Sequence, residues 1–367
     1  PKLSAHVLLF TLKLLLCHRS MSMKGISLLA AVGKLKSYAP LCLAEKWDNV
    51  GLLIEPSAPK IVESIILTND LTLPVVFEAI AKKVDMIISY HPPIFSSLKK
   101  VTQESWKQEL VVRCIENRIA LFSPHTCYDA LNGGVNDWLM KPFEFLSINT
   151  IENRSYGEEK KAQFYFKVVN PSAIPEPAKV WLEQNLMSAE IKDETFYLDL
   201  NGYFELLNQV SKFPTLFECI LPVQRIDSFA GCGVGRIGKL KHNVSLLEVV
   251  EKMKSLTGNK YIRLAVGYDA VTNEMKPSTS LVSSIAVCAG SGASVLKGVE
   301  ADVYITGEMS HHDILDATHS GSHVILLEHC NSERGFLKPL CLELERLFEN
   351  KINVMVSEKD HSPLQIV

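Results

Sequence analysis

The 367-residue chain contains no Cys-x-x-Cys pair, and its nine cysteines are scattered singly. A dispersed, odd set of thiols argues against a disulfide framework and a zinc ribbon, and for a reducing compartment. No run of Lys and Arg is interleaved with aromatics, and the formal net charge is −3, so direct nucleic-acid binding is not expected. Asp and Glu are missing from the first 44 residues, where Lys2, Lys13, Arg19, Lys24, Lys34 and Lys36 supply the charge. The apolar run "HVLLFTLKLLLC" in that stretch is interrupted by Lys13 and is too short to span a bilayer. Two accounts of residues 1–23 stay open: a basic targeting leader, or sequence ahead of a start at Met21 or Met23. The expected location is the cytoplasm, with the nucleus as an alternative, and the mitochondrion if the leader is genuine.

What is present is a regular alternation of helix and strand. With 47% hydrophobic residues the chain can fill large cores, and its length allows two domains. "SLLAAVGKLKSYAP" (Ser27 to Pro40) has helical periodicity and a proline stop. Strands follow at "SIILTNDLT", "VDMIISYH" and "IALFSPHTCYD", with helices between them. This spacing predicts βαβ units and a mostly parallel sheet. The second half repeats the pattern. "SLLEVVEKMKSLTG" (Ser245 to Gly258) matches the first helix at seven of fourteen positions, and "ADVYITGE" aligns with "VDMIISYH". "HTCYD" (His125 to Asp129) and "HCNSE" (His329 to Glu333) share one form, His-x-x-x-acid after a buried strand. The fold class is therefore α/β, with two related lobes at 24–144 and 231–367, each a mostly parallel sheet flanked by helices. Residues 145–230, with alternating aromatic strands and Pro/Glu-rich linkers, read as an inserted ferredoxin-like α+β domain.

The chemistry should sit at strand ends. Met86, Ile87 and Ile88 give way at once to Tyr90, His91 and two prolines, which cannot continue a ladder. His91 thus lies at the carboxyl end of a central strand, where open α/β sheets bind ligands. His125, Asp129, His329 and Glu333 reach comparable strand ends, and each His-x-x-x-acid pair shares a face if helix begins there. Imidazole with carboxylate suits a divalent metal such as Zn, Mn, Fe or Ni, one or two per chain, because a carboxylate can bridge two ions. "GVGRIG" (Gly233 to Gly238) fits the dinucleotide pattern without its strand-to-helix context, and reads as a glycine-rich turn. "GSGAS" (Gly290 to Ser294) has two equal accounts, an anion cradle or tight packing of turn on sheet. Glu308, His311, His312 and Asp313 are candidates to support the site from behind. Cys127 and Cys330 read as small buried side chains more readily than as soft ligands.

The motifs "WDNVGLLIE", "SYHPPIF", "SPHTCYDALNGGVND", "GVGRIG", "AGSGAS", "YITGEMSHHD" and "EHCNSERGF" together resemble the NGG-interacting-factor-three family, also labelled GTP cyclohydrolase I type 2-like. The resemblance runs in order from about residue 24 to 360. It implies two related lobes with a ferredoxin-like or PII-like insert, ring-like homo-oligomers and a dinuclear metal site between the lobes. It also implies His91, Asp129, His329 and Glu333 as ligands, with His125 beside the metals. Where the family has a first histidine, this chain has Tyr90, which implies that one of the two ions is weakly held or missing. The implied activity is metal-activated water attacking a phosphate ester or a heterocycle carbon of a small phosphorylated or nucleotide-like substrate. In that reading Asp129 bridges, Glu333 ligates and His125 carries the proton. The alternative is a non-catalytic partner-binding protein, a transcription co-regulator or scaffold, with a structural metal.

Overall fold

The computed structural model describes residues 25–153, 164–167, 174–178, 195–198, 200–214, 224–225 and 231–364. The expected leader at 1–23 lies outside the described residues, as does much of the expected insert. Two larger sheets dominate. The first has five strands in the order Asn353–Val356, Ser64–Thr68, Met86–Ser89, Ala120–Ser123 and Gly51–Ile54. Its first four strands are parallel and the last is antiparallel. Alternate side chains serve two cores, as the period of a strand dictates. Ile65, Leu67, Met86, Ile88 and Phe122 face a large core shared with the second lobe. Ile66, Ile87 and Leu121 face a smaller one under the helices Leu73–Ala81 and Trp106–Glu116.

The second sheet has six strands in the order Arg263–Ala265, His323–Leu326, Val303–Thr306, Leu281–Cys288, Gly233–Ser245 and Phe145–Asn153. Only the strands starting at His323, Val303 and Leu281 run parallel, and the other three pairings are antiparallel. Signs of duplication persist in the details. Ser27 and Ser245 each cap a helix by accepting from a backbone amide, that of Ala30 and of Glu248. Asp85 accepts from the Glu63 amide at 2.9 Å and the Ser64 amide at 3.1 Å. Asp302 does the same for Ser283 at 2.7 Å and Ser284 at 3.0 Å. Each aspartate tethers the start of the neighbouring strand.

Three expectations need correction. Phe145–Asn153, placed in the insert by its sequence, is the edge strand of the second sheet and pairs with Gly233–Ser245. Its side chains are all half-buried or exposed, a pattern that looks the same on either kind of sheet. Asn353–Val356, assigned to the second lobe, joins the first sheet beside Ser64–Thr68. Local pattern reports that a strand exists, not which sheet receives it. "GVGRIG" is strand and not turn. Between the lobes, a three-stranded antiparallel sheet of Gln224–Arg225, Phe164–Lys167 and Thr195–Leu198 is described with the helix Leu200–Lys212. No helix among the described residues is long and apolar enough to cross a membrane.

The segment after Val356 is clamped by Glu78. Its carboxylate accepts from Lys82 Nζ at 2.8 Å, from the Glu358 and Lys359 amides at 3.1 and 3.2 Å, and from the Ser357 hydroxyl. Burial alone would raise the Glu78 carboxyl, but the bonds from Lys82, Ser357 and Glu358 outweigh it and bring it down to about 2. A depressed carboxyl stabilises the fold fully above its ordinary value of 4.5, and that contribution is lost as pH falls through about 2. Glu78→Gln is expected to cost about 1–3 kcal/mol at neutral pH and to flatten the acid limb of stability between those values. Urea unfolding at pH 7 and at pH 3 measures both effects. Equal losses at the two pH values would show that Glu78 does not hold the segment by its charge.

Candidate metal centre

The carboxyl ends of both sheets meet where three side chains converge. His91 follows the strand Met86–Ser89, and Pro92 and Pro93 turn the chain away from the ladder behind it. His329 and Glu333 follow His323–Leu326 in the other lobe. No α-helix begins there. A 3-10 turn at Cys330–Ser332 bridges the two residues, and Glu328 ahead of it has φ 68°. The tighter turn still brings them to one point. His91 Nε2 lies 3.3 Å from His329 Nε2 and 3.2 Å from Glu333 Oε2, and His329 Nε2 lies 3.4 Å from Glu333 Oε1. Ligands about 2.0–2.1 Å from a tetrahedral ion stand roughly 3.3–3.4 Å apart, so the two imidazoles have the spacing of such a site, and the Glu333 carboxylate turns one oxygen toward each. Among the described residues, these three form the group whose ligand atoms all lie within 4.8 Å of one another.

Each imidazole is oriented from behind. His91 Nδ1 pairs with Asp70 Oδ1 at 2.9 Å, and His329 Nδ1 with Glu308 Oε1 at 2.9 Å. A carboxylate on the far nitrogen fixes the tautomer and raises the basicity of the near one. Asn69 Nδ2 donates to Glu333 Oε2 at 3.2 Å. Burial would lower the His91 imidazolium, but Glu333 and Asp70 hold it up to about 10. Burial would raise Glu333, yet His91 and His329 keep it below the usual carboxylate range. Gly290 explains "GSGAS". At φ 63°, its Cβ would fall 2.7 Å from Glu333 Oε1, so bare backbone makes room for the carboxylate. The helix that follows, Ala293–Leu296, has four residues, which favours the packing account of this turn.

A second layer surrounds His91. The His125 ring lies 5.3 Å from the His91 ring, and its Nδ1 meets Asp48 Oδ1 at 2.7 Å. His125 caps the helix Thr126–Ala130 with φ 34°, and Asp48 also accepts from the Thr126 amide at 3.2 Å. Burial would raise Asp48, but His125 and Thr126 bring its carboxyl below the ordinary value. Asp129, on the same short helix, is half-buried and accepts from the Tyr90 hydroxyl. Burial and then Glu333 push Asp129 up to about 6. Trp47, 61% exposed, and Phe95 stand at the rim with rings 6.0 Å apart, and Trp47 is 6.0 Å from His125.

A family model described as Duf34/NIF3 (NGG1p interacting factor 3) matches residues 27–363. The chain belongs to the Duf34/NIF3 family. It is 41% identical to NIF3-like protein 1 of Bos taurus over 363 residues, 95% of this chain and 94% of that protein. It is 30% identical to the Saccharomyces cerevisiae protein NGG1-interacting factor 3 over 349 residues, 91% and 95% of the two chains. The solved structure of Staphylococcus aureus hypothetical protein SA1388 is similar with a TM-score of 0.67 at 25% identity, covering 94% of this chain and 100% of that one.

Of the ligands that the sequence suggests for this Duf34/NIF3 chain, His91, His329 and Glu333 come together, while Asp129 stands behind Tyr90 and outside the three-donor group. His125 reaches the edge of the centre through its ring. Glu308 has the supporting position foreseen for it, whereas Asp313 spends its amide and carboxylate on Ser310 at the start of its helix. Cys330 donates to Asp70 Oδ2 at 3.2 Å, and burial with Asp70 pushes its thiol up to about 12. Cys127 is buried near the Leu41 carbonyl. Asp48, Asn69 and Asp70 escaped the sequence reading. Asn69 and Asp70 had a signal, since they end the strand next to the one that presents His91. Asp48 had none beyond its place in "WDNVGLLIE".

Proposed function

We propose that this protein is a metal-dependent hydrolase acting on a small substrate with a phosphate ester or an activated heterocycle carbon. The observation that carries the reading is the convergence of three donors, two imidazoles and one carboxylate, whose ligand atoms lie within 4.8 Å of one another. Catalytic sites use three protein ligands and structural sites use four. The donor set suits Zn, Mn, Fe or Ni. A divalent ion held by His91, His329 and Glu333 supplies Lewis acidity and lowers the pKa of water. The chain's own residues do the rest. Asp70 and Glu308 orient the two imidazoles. Asp48 occupies His125 Nδ1, which leaves Nε2 as the proton carrier beside His91. The exposed Trp47 and Phe95 support a substrate with a flat ring over a bare phosphate.

Elemental analysis of protein purified without chelators or a His tag tests the metal reading. At least one divalent ion per chain is expected in the parent. His91→Ala and Glu333→Gln should each weaken retention by about tenfold or more. Content near zero in all three proteins would sink the proposal. A second reading, a partner-binding protein with a structural metal, is supported by the name of the yeast relative, NGG1-interacting factor 3. That reading expects metal retention with no turnover of any ester.

A further inference from the structure

Asp129 is a half-buried carboxylate that feels the charge of Glu333 and that the three-donor group does not use. A buried and a half-buried carboxylate acting on one another call for cations or donated protons to offset their charge. Glu333 has two imidazoles and the Asn69 amide. Asp129 has the phenol of Tyr90, whose O–H donates to Oδ1. That phenol has little room to leave. Tyr90 is 1% exposed and stands edge-on to His91, with ring centroids 5.4 Å apart. His125 lies 6.2 Å away and Tyr128 6.4 Å away, so rings crowd it from three sides. The Ser123 hydroxyl donates to the Tyr90 carbonyl at 3.0 Å and fixes the backbone below.

We infer that Tyr90 closes a second cation position next to the three-donor group, so that the centre holds one ion per chain and the phenol O–H takes the place of a cation on Asp129. The inference rests on the metal reading above. A neutral phenol offers Asp129 a proton and offers an incoming ion little. An imidazole at the same strand end would offer a lone pair instead, within reach of the carboxylate that Tyr90 now occupies. His125 is not one of the three donors; its ring stands 5.3 Å from that of His91 and its Nδ1 meets Asp48.

The test is metal stoichiometry in the full chain, parent and Tyr90→His, by elemental analysis and by Mn2+ titration followed by electron paramagnetic resonance. The parent should saturate at one ion with the spectrum of isolated Mn2+. Tyr90→His should rise twofold, to two ions, and show the exchange coupling of a pair about 3.5–4 Å apart. A parent that takes two coupled ions overturns the inference, and so does a folded Tyr90→His protein that stays at one. If Tyr90→His does not fold, the parent titration decides alone, between one ion and two. A parent content of zero overturns the metal reading itself, which is a separate failure.

Discussion

Replacing Arg236 with Met is expected to destabilise the protein by about 3–5 kcal/mol, because it leaves a carboxylate and several carbonyls without their donor. Arg236 is 2% exposed. Its Nε and Nη2 hold Asp137 in a two-point grip at 2.9 and 2.8 Å. Nη1 donates to the Gly233 and Gly235 carbonyls at 2.6 and 2.8 Å, and Nη2 to Leu131 at 3.0 Å and Gly231 at 3.3 Å. One guanidinium thus ties the strand Gly233–Ser245 to the segment that carries Asp129 and the helix Val135–Met140. Lys cannot reproduce a planar fork, so Arg236→Lys should recover only part of the loss. Denaturant unfolding of the three proteins measures this. A shift below about 1 kcal/mol for Arg236→Met would mean that the surrounding carbonyls find other donors.

Asp48→Asn should have the largest effect on chemistry. The Asp48 carboxylate accepts from His125 Nδ1–H and so keeps Nε2 free to take a proton. An amide can donate at that point and favour the opposite tautomer, which blocks proton transfer while leaving the ring in place. Turnover of p-nitrophenyl phosphate is expected to fall by about 10²–10⁴, with metal content unchanged. Because Asp48 touches none of the three donors, loss of metal in this variant would show that His125 has a different role. Unchanged turnover would remove His125 as the proton carrier.

The individual helices and strands were legible because each carries its own signal. Ser27 and Ser245 announce helices, Gly258 ends one at φ 73°, and Pro92 and Pro93 stop a strand. His329 and Glu333 were legible because they repeat the form of His125 and Asp129 after a buried strand, and His91 because two prolines stop the strand that presents it. Sheet membership was not. Whether Asn353–Val356 pairs with one lobe or the other depends on contacts made across almost the whole chain, and its own four residues read the same in both cases. Asp48 was hidden for a related reason. Its work is done through His125, far along the sequence, and an aspartate before a strand is ordinary. Arg236 sat inside a glycine pattern that resembled a nucleotide-binding turn. A Cβ at Gly233 would run into the Glu152 carbonyl and one at Gly238 into the Phe145 ring, both on the neighbouring strand, and that reason shows only in three dimensions.

The placement of Asn353–Val356 also sets an order on synthesis. The strands Ser64–Thr68, Met86–Ser89 and Ala120–Ser123 leave the ribosome early, yet the edge at Ser64–Thr68 has no neighbour until residues 353–356 have been made. During that interval a buried-type apolar strand presents open hydrogen-bonding groups to any chain nearby, the situation that favours aggregation and calls for chaperones. The same late segment brings Asp360, which accepts from the Asn69 amide at 2.7 Å and from Arg334 at 3.3 Å. Asn69 in turn donates to Glu333. Closing the sheet and steadying the centre are therefore one late event, and a nascent chain released early should be a poor competitor for metal in the cell.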